Sequence, residues 1–175
     1  MSLDPTASTF TPAADPSTST IPASNPPASN HTHDTPLFSP TLLSPTVLSR
    51  LPPTYTLRPL LRTDFSLGFL DVLRVLTSVG DVSESAFQAR YDLMARTPET
   101  YYVLVVCNGE GRIVGTGALV VERKFIHGLG CVGHIEDIAV ARDQQGMKLG
   151  LRIMEAVVSL GERLGCYKVS EVTCV

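Results

Sequence analysis

The run "GHIEDIAVARDQQGMKLG", Gly133 to Gly150, joins an apolar and acidic stretch directly to a polar turn bracketed by glycines. Its first half carries the apolar density of a strand. Period-two alternation puts His134, Glu136, Ile138 and Val140 on one face and Ile135, Asp137 and Ala139 on the other, so the two acids should diverge. An acid inside an otherwise apolar strand is costly to bury unless it is hydrogen-bonded or used in chemistry, which lifts Glu136 and Asp137 above ordinary surface carboxylates. The polar turn opens a helix, because Leu149, Ile153, Met154, Val157, Val158, Leu160 and Leu164 recur at helical spacing as far as Gly165. "CYKVSEVTCV" then reads as a further strand. A helix start aims backbone N–H groups and a positive dipole end at whatever lies in front of it. Gly146 and Gly150 permit close backbone approach and Lys148 adds a cation, which suits a pyrophosphate. The spelling is not that of a nucleotide-hydrolysing P-loop.

Upstream, "YYVLVV" and "RIVGTGALVVE" are β-rich runs separated by the turn-forming "CNGEGR", and they predict an antiparallel hairpin. "GTGALV" at Gly115 lies within that hairpin and lacks a third glycine, so no dinucleotide fingerprint is supported. Before the hairpin, a strand "YTLRPL" precedes a helix expected from about Asp64 to Thr77, with Phe65, Phe69, Val72, Leu73 and Leu76 in one stripe. Ser83 is placed to cap a second helix through Phe87, Tyr91 and Met94. The order β-α-α-β-β-β-α-β predicts an α/β (α+β) domain whose mixed, mostly antiparallel sheet is flanked by helices, with one parallel pairing across the last β-α-β unit.

Residues 1–40 are rich in Ser, Thr, Ala and Pro, hold most of the chain's 13 prolines, and are expected to form a disordered tail ahead of a domain over 41–175. A net charge of −3 gives no electrostatic footprint for nucleic acid. No apolar run approaches the roughly 20 residues of a membrane span, no secretory layout opens the chain, and a cytoplasmic location follows as the expectation. Four cysteines without a C-x-x-C pair read as reduced thiols. Arg123, Lys124 and His127 in "ERKFIHGLG" gather donors suited to an anion. His127, Cys131 and His134 also suggest a metal-dependent hydrolase, but they lack a fourth ligand at a zinc spacing, so no metal is expected.

The segments "VLRVLTSVGD", "GRIVGTGALVVERKFIHGLG", "GHIEDIAV", "QQGMKLGLRI" and "GCYK", in that order between about Tyr55 and Lys168, resemble the glucosamine 6-phosphate N-acetyltransferases of fungi, within the GNAT superfamily of acetyl-CoA-dependent transferases. The resemblance implies acetyl transfer from acetyl-CoA to the 2-amino group of glucosamine 6-phosphate, feeding UDP-N-acetylglucosamine synthesis. It places the pantetheine on Ile138, Ala139 and Val140. The diphosphate falls on Gln145, Gly146, Met147, Lys148, Leu149, Gly150 and Leu151, where Lys148 departs from the superfamily's usual glycine. Sugar phosphate contacts fall on Thr77, on Lys124, Phe125, Ile126 and His127, and on Glu136, Asp137 and Ile138. Glu136 and Asp137 are assigned to amine orientation and proton acceptance, with direct attack on the thioester in a ternary complex. A homodimer is expected from the family. After Lys168 the similarity stops, and the family's closing strands, which carry part of its site and its exchanged strand, have no counterpart. A C-terminally truncated domain is therefore expected, with a non-catalytic acetyl-CoA-binding remnant as the alternative reading.

Overall fold

The computed structural model describes residues 35–171; the greater part of the expected tail and the last four residues lie outside them. In chain order the elements are a one-turn helix α1 (Pro45–Leu48), β1 (Thr56–Pro59), α2 (Phe69–Leu73), α3 (Glu84–Ala95), β2 (Tyr101–Cys107), β3 (Ile113–Arg123), β4 (Cys131–Val140), α4 (Leu149–Arg163) and β5 (Cys166–Glu171). They build a five-stranded sheet in sequential order β1-β2-β3-β4-β5. The first three pairings are antiparallel and β4–β5 is parallel, as the β-α-β reading requires.

Central burial explains the apolar runs. Leu104, Val105, Val106, Val114 and Leu119 have no accessible surface, so β2 and β3 are covered on both faces. One cover is α4, which places Ile153, Val157 and Leu160 fully inside, each worth about 1.5–3 kcal/mol of burial. The "GTG" of β3 exists for this contact. A Cβ on Gly117 would lie 2.5 Å from Ile153 Cγ2 and 2.6 Å from Ile138 Cδ1, and one on Gly115 would lie 2.8 Å from Ile153 Cδ1. The helix therefore rests on bare backbone. The other cover comes from α2 and α3, whose Phe69, Val72, Phe87 and Tyr91 are buried; Phe87 packs against Phe69 and Phe65 at ring separations of 5.8 and 5.9 Å.

Two boundaries differ from the sequence reading. The helix expected over Asp64–Thr77 breaks at Gly68 (φ +92°) into a 3-10 turn, Asp64–Leu67, and α2. The break follows from Asp64, whose wholly buried carboxylate accepts two bonds from Arg58 (2.8 Å each) and one from the Leu61 N–H (2.7 Å); that fixes the first turn on β1 and the chain must turn again to lay α2 on the sheet. The other concerns residues 35–40, which composition assigned to the tail. Pro36 bridges Leu61, and Phe38 is buried edge-on against Tyr102 at 5.3 Å. A single aromatic residue outweighs the surrounding Ser and Pro. Ser83 caps α3 as expected, accepting from the Ala86 N–H at 3.2 Å.

Tyr91 closes this region by donating to the Thr35 carbonyl at 2.5 Å. Burial, with Asp64 and Asp92 adding to it, pushes its phenol up to about 12. Burial and the neighbouring Cys131 raise the Cys166 thiol to about 11. Both groups hold their protons more tightly folded than unfolded, so stability is unaffected below about pH 9 and falls as pH rises from there through 12. Urea midpoints at pH 8, 10 and 11 should decline in that order; equal midpoints at pH 8 and 11 would show both groups to be solvated.

Candidate active site

β4 is the axis of the site, and its pairing is interrupted where the acids lie. On the β3 side Glu136 pairs with Ala118 and Ala139 with Thr116, so Asp137 and Ile138 together oppose the single residue Gly117. This is a β-bulge, with Asp137 in the left-handed region at φ +55°. The bulge corrects the simple alternation. Cross-strand partners share a face, so Glu136 stays with Ala118 and Ala139 joins Thr116. Ile138 turns to the α4 face, beside Ile153 at Gly117. Asp137, expected to diverge from Glu136, lines a cavity together with Thr116 and Ala118. Both acids are thus served to one side of the sheet; Glu136 is half-buried and Asp137 exposed.

On its other edge β4 pairs with β5 only from Cys131 to Ile135. Among the described residues, the edge of Glu136–Val140 facing away from β3 is free, and this includes Ile138, Ala139 and Val140. The free edge runs straight into the polar turn. Gly146 has φ +87° and open space around its Cα, and Lys148 stands at the N-cap of α4 with φ +59°. No side chain caps this helix and its first turn holds no acid, so the leading N–H groups at Leu149, Gly150 and Leu151 are unmatched within the helix. Lys148 takes a strained left-handed position that a glycine adopts without cost.

Two contacts that sequence reading missed hold this turn. Arg112, from the β2–β3 connection, pairs with Asp143. Tyr55, just ahead of β1, donates to Gln144 Oε1 at 2.5 Å and lies 3.5 Å from Met147 Sδ. Periodicity around "PPTYTL" gave no hint of a partner some ninety residues away. Tyr55→Phe removes the bond and keeps the ring. Slackening the turn should lower stability by about 1 kcal/mol, as expected for one neutral hydrogen bond. Urea unfolding would show this as a lower midpoint; an unaltered midpoint would mean that water replaces the bond.

The basic loop lies elsewhere. Lys124 to Gly130 leads into the opposite end of β4, closed by Lys124 N–H to the Gly130 carbonyl at 2.8 Å. His127, Gly128 and Leu129 all have positive φ, and the His127 ring stacks on Tyr167 at 4.1 Å. Phe125 is 96% exposed and Ile126 61%. Lys124 pairs with Glu122, which also receives His134 Nε2 at 3.0 Å; these two hydrogen bonds, that of Lys124 first, hold the Glu122 carboxyl below its ordinary range. From Cys131 to Asp137 the strand advances six residues, roughly 20 Å at about 3.3 Å each. The loop backbone is therefore well separated from Asp137 along the strand, while the Lys124 side chain, through Glu122, reaches His134, two residues before Glu136. Thr77, beyond the end of α2, is exposed.

The metal alternative is not favoured, because its three residues have other neighbours. His127 faces Tyr167, Cys131 Sγ lies 3.6 Å from Cys166 Sγ, and His134 bonds Glu122. No group of three or more His, Cys, Asp or Glu among the described residues could hold an ion. Cys107, Cys131 and Cys166 are free thiols.

A bulged strand with a released edge thus runs into an uncapped helix start. The model of the "Acetyltransferase (GNAT) family" matches residues 57–175. The chain belongs to this family. It is an acyltransferase with a GNAT fold. A glucosamine 6-phosphate N-acetyltransferase of Candida albicans is 43% identical over 119 residues, which are 68% of this chain and 80% of that one. A probable glucosamine 6-phosphate N-acetyltransferase of Drosophila melanogaster is 38% identical, over 67% of this chain and 54% of its own length. The crystal structure of glucosamine-6-phosphate N-acetyltransferase from Arabidopsis thaliana superposes with a TM-score of 0.67 at 31% identity, covering 70% of this chain and 84% of that one. GNAT acetyltransferases use acetyl-CoA. No helix among the described residues is long and apolar enough to cross a membrane.

Proposed function

We propose that this chain transfers the acetyl group of acetyl-CoA to the 2-amino group of glucosamine 6-phosphate. The observation that carries the reading is the junction of the bulge at Asp137, the free edge of Ile138–Val140 and the uncapped start of α4, in a chain whose relatives carry that activity in their names. The pantetheine amides would continue the sheet on the free edge. The diphosphate would take the N–H groups from Gln145 to Leu151, with Lys148 adding charge. A backbone N–H released by the bulge would polarise the thioester carbonyl.

Glu136 and Asp137 would orient the amine and accept its proton. The neutral amine attacks the carbonyl carbon, the N–C bond forms, the C–S bond breaks, and the thiolate of coenzyme A leaves. No acetyl-cysteine step is invoked, since burial raises both the Cys107 and the Cys166 thiols and keeps them protonated near neutrality. In a homodimer a second copy would bring its Lys124–His127 loop to the sugar phosphate; Thr77 and Ile138 would complete the contacts of the chain that holds the acids. The product is an N-acetylated amino sugar phosphate.

The test is direct. Purified chain with both substrates should release free thiol and yield a sugar phosphate heavier by one acetyl group. Calorimetric binding of acetyl-CoA without turnover would instead support the non-catalytic remnant, and no binding would overturn both readings.

A further inference from the structure

A cavity of about 400 Å³ lies between α2, α3 and the sheet, within the roughly 300–1,000 Å³ of small-molecule sites. Its floor is Thr116 and Ala118, the β3 residues opposite Ala139 and Glu136, and Asp137 stands on its rim. It therefore opens at the bulge itself. Its inner walls are Leu60, Phe69, Leu73, Phe87, Met94 and Val103. The polar groups among the walls are already engaged, with Tyr91 donating to the Thr35 carbonyl and Thr116 to the Leu104 carbonyl. Arg90 and Asp137 are exposed at the mouth.

Such an interior offers a sugar nothing. Each hydroxyl carried into it would lose its water without a replacement partner. An acetyl methyl is also a poor match, since it fills about the share of one water, roughly 30 Å³. The geometry points to an acyl-chain pocket, so that this site accepts acyl-CoA thioesters longer than acetyl. The inference rests on the acyl-CoA placement proposed above. The same bonds are exchanged as with acetyl, and only the tail of the acyl group enters the cavity.

Calorimetry on the full chain with acetyl-, propionyl-, butyryl- and hexanoyl-CoA tests it. Each methylene buried should tighten binding by up to about fourfold, equivalent to about 0.8 kcal/mol. Val82→Phe, which places a ring in the cavity wall, should abolish that gain relative to the same protein's acetyl-CoA affinity, and Ala86→Phe at the mouth is the second variant should the first fold poorly. Affinity that is flat or declines with chain length overturns the pocket, as does a chain-length gain that survives the filling substitution. Turnover of acetyl-CoA with glucosamine 6-phosphate, run alongside, separates failure of the pocket from failure of the proposed reaction.

Discussion

Replacing Asp64 with alanine is expected to lower stability by about 3–5 kcal/mol, the range for breaking a buried ion pair from one side. The side chain has no exposure, and its two oxygens serve Arg58 twice and the Leu61 N–H once. Without them a guanidinium only 27% exposed loses its counter-charge and a backbone donor loses its partner. Domains of this kind are stable by about 5–15 kcal/mol, so the variant approaches the threshold of folding. Urea unfolding should show a lower midpoint at unchanged slope. Replacing both members together, Arg58→Met with Asp64→Leu, should cost far less than the single change, because no orphaned charge remains. A loss under 1 kcal/mol for Asp64→Ala would mean that water reaches the pair.

Asp137→Asn is expected to reduce kcat by about 10²–10⁴-fold, the usual weight of a positioned proton acceptor, with KM for acetyl-CoA little changed. Asparagine is the right probe because the residue sits at φ +55°, a conformation that Asn tolerates better than most residues. It keeps the bulge and removes the carboxylate. Asp137→Ala removes the carboxylate and strains the bulge as well, so it should raise KM for acetyl-CoA in addition. If Asn retains full kcat, the proton goes to Glu136 or to water and Asp137 is only a bulge former.

Much of this fold is legible in the sequence because its signals are local. The hairpin is announced by "CNGEGR", where Asn108 Oδ1 accepts from the N–H groups of Glu110 and Arg112. The stripe of α4 is announced by its helical spacing. The failures are all non-local. Gly68 breaks a helix that periodicity continues, because the carboxylate of Asp64 is fastened to another strand. Phe38 is drawn into order by Tyr102, far along the chain. At the site, the strand that carries Glu136 and Asp137 was readable but the arrangement of its faces was not. A bulge is a mismatch between two strands, and a single strand does not carry the count of residues opposite it; hence the faces of Asp137, Ile138 and Ala139 came out wrong. The cavity beside Asp137 was equally invisible, since its walls are ordinary core residues from five separate segments.

The two glycines beneath α4 have a reach beyond packing. Because Ile153 is seated on the main chain at Gly115 and Gly117, and Gly117 is the residue opposite the bulge, the helix and the distorted strand share one fulcrum. The mouth of that helix, one turn before Ile153, is thereby indexed to the place where the thioester would react. A methyl group at Gly117 would pry the two apart, and the grip on the phosphates would drift out of step with the chemistry although no ligand-facing side chain had been touched.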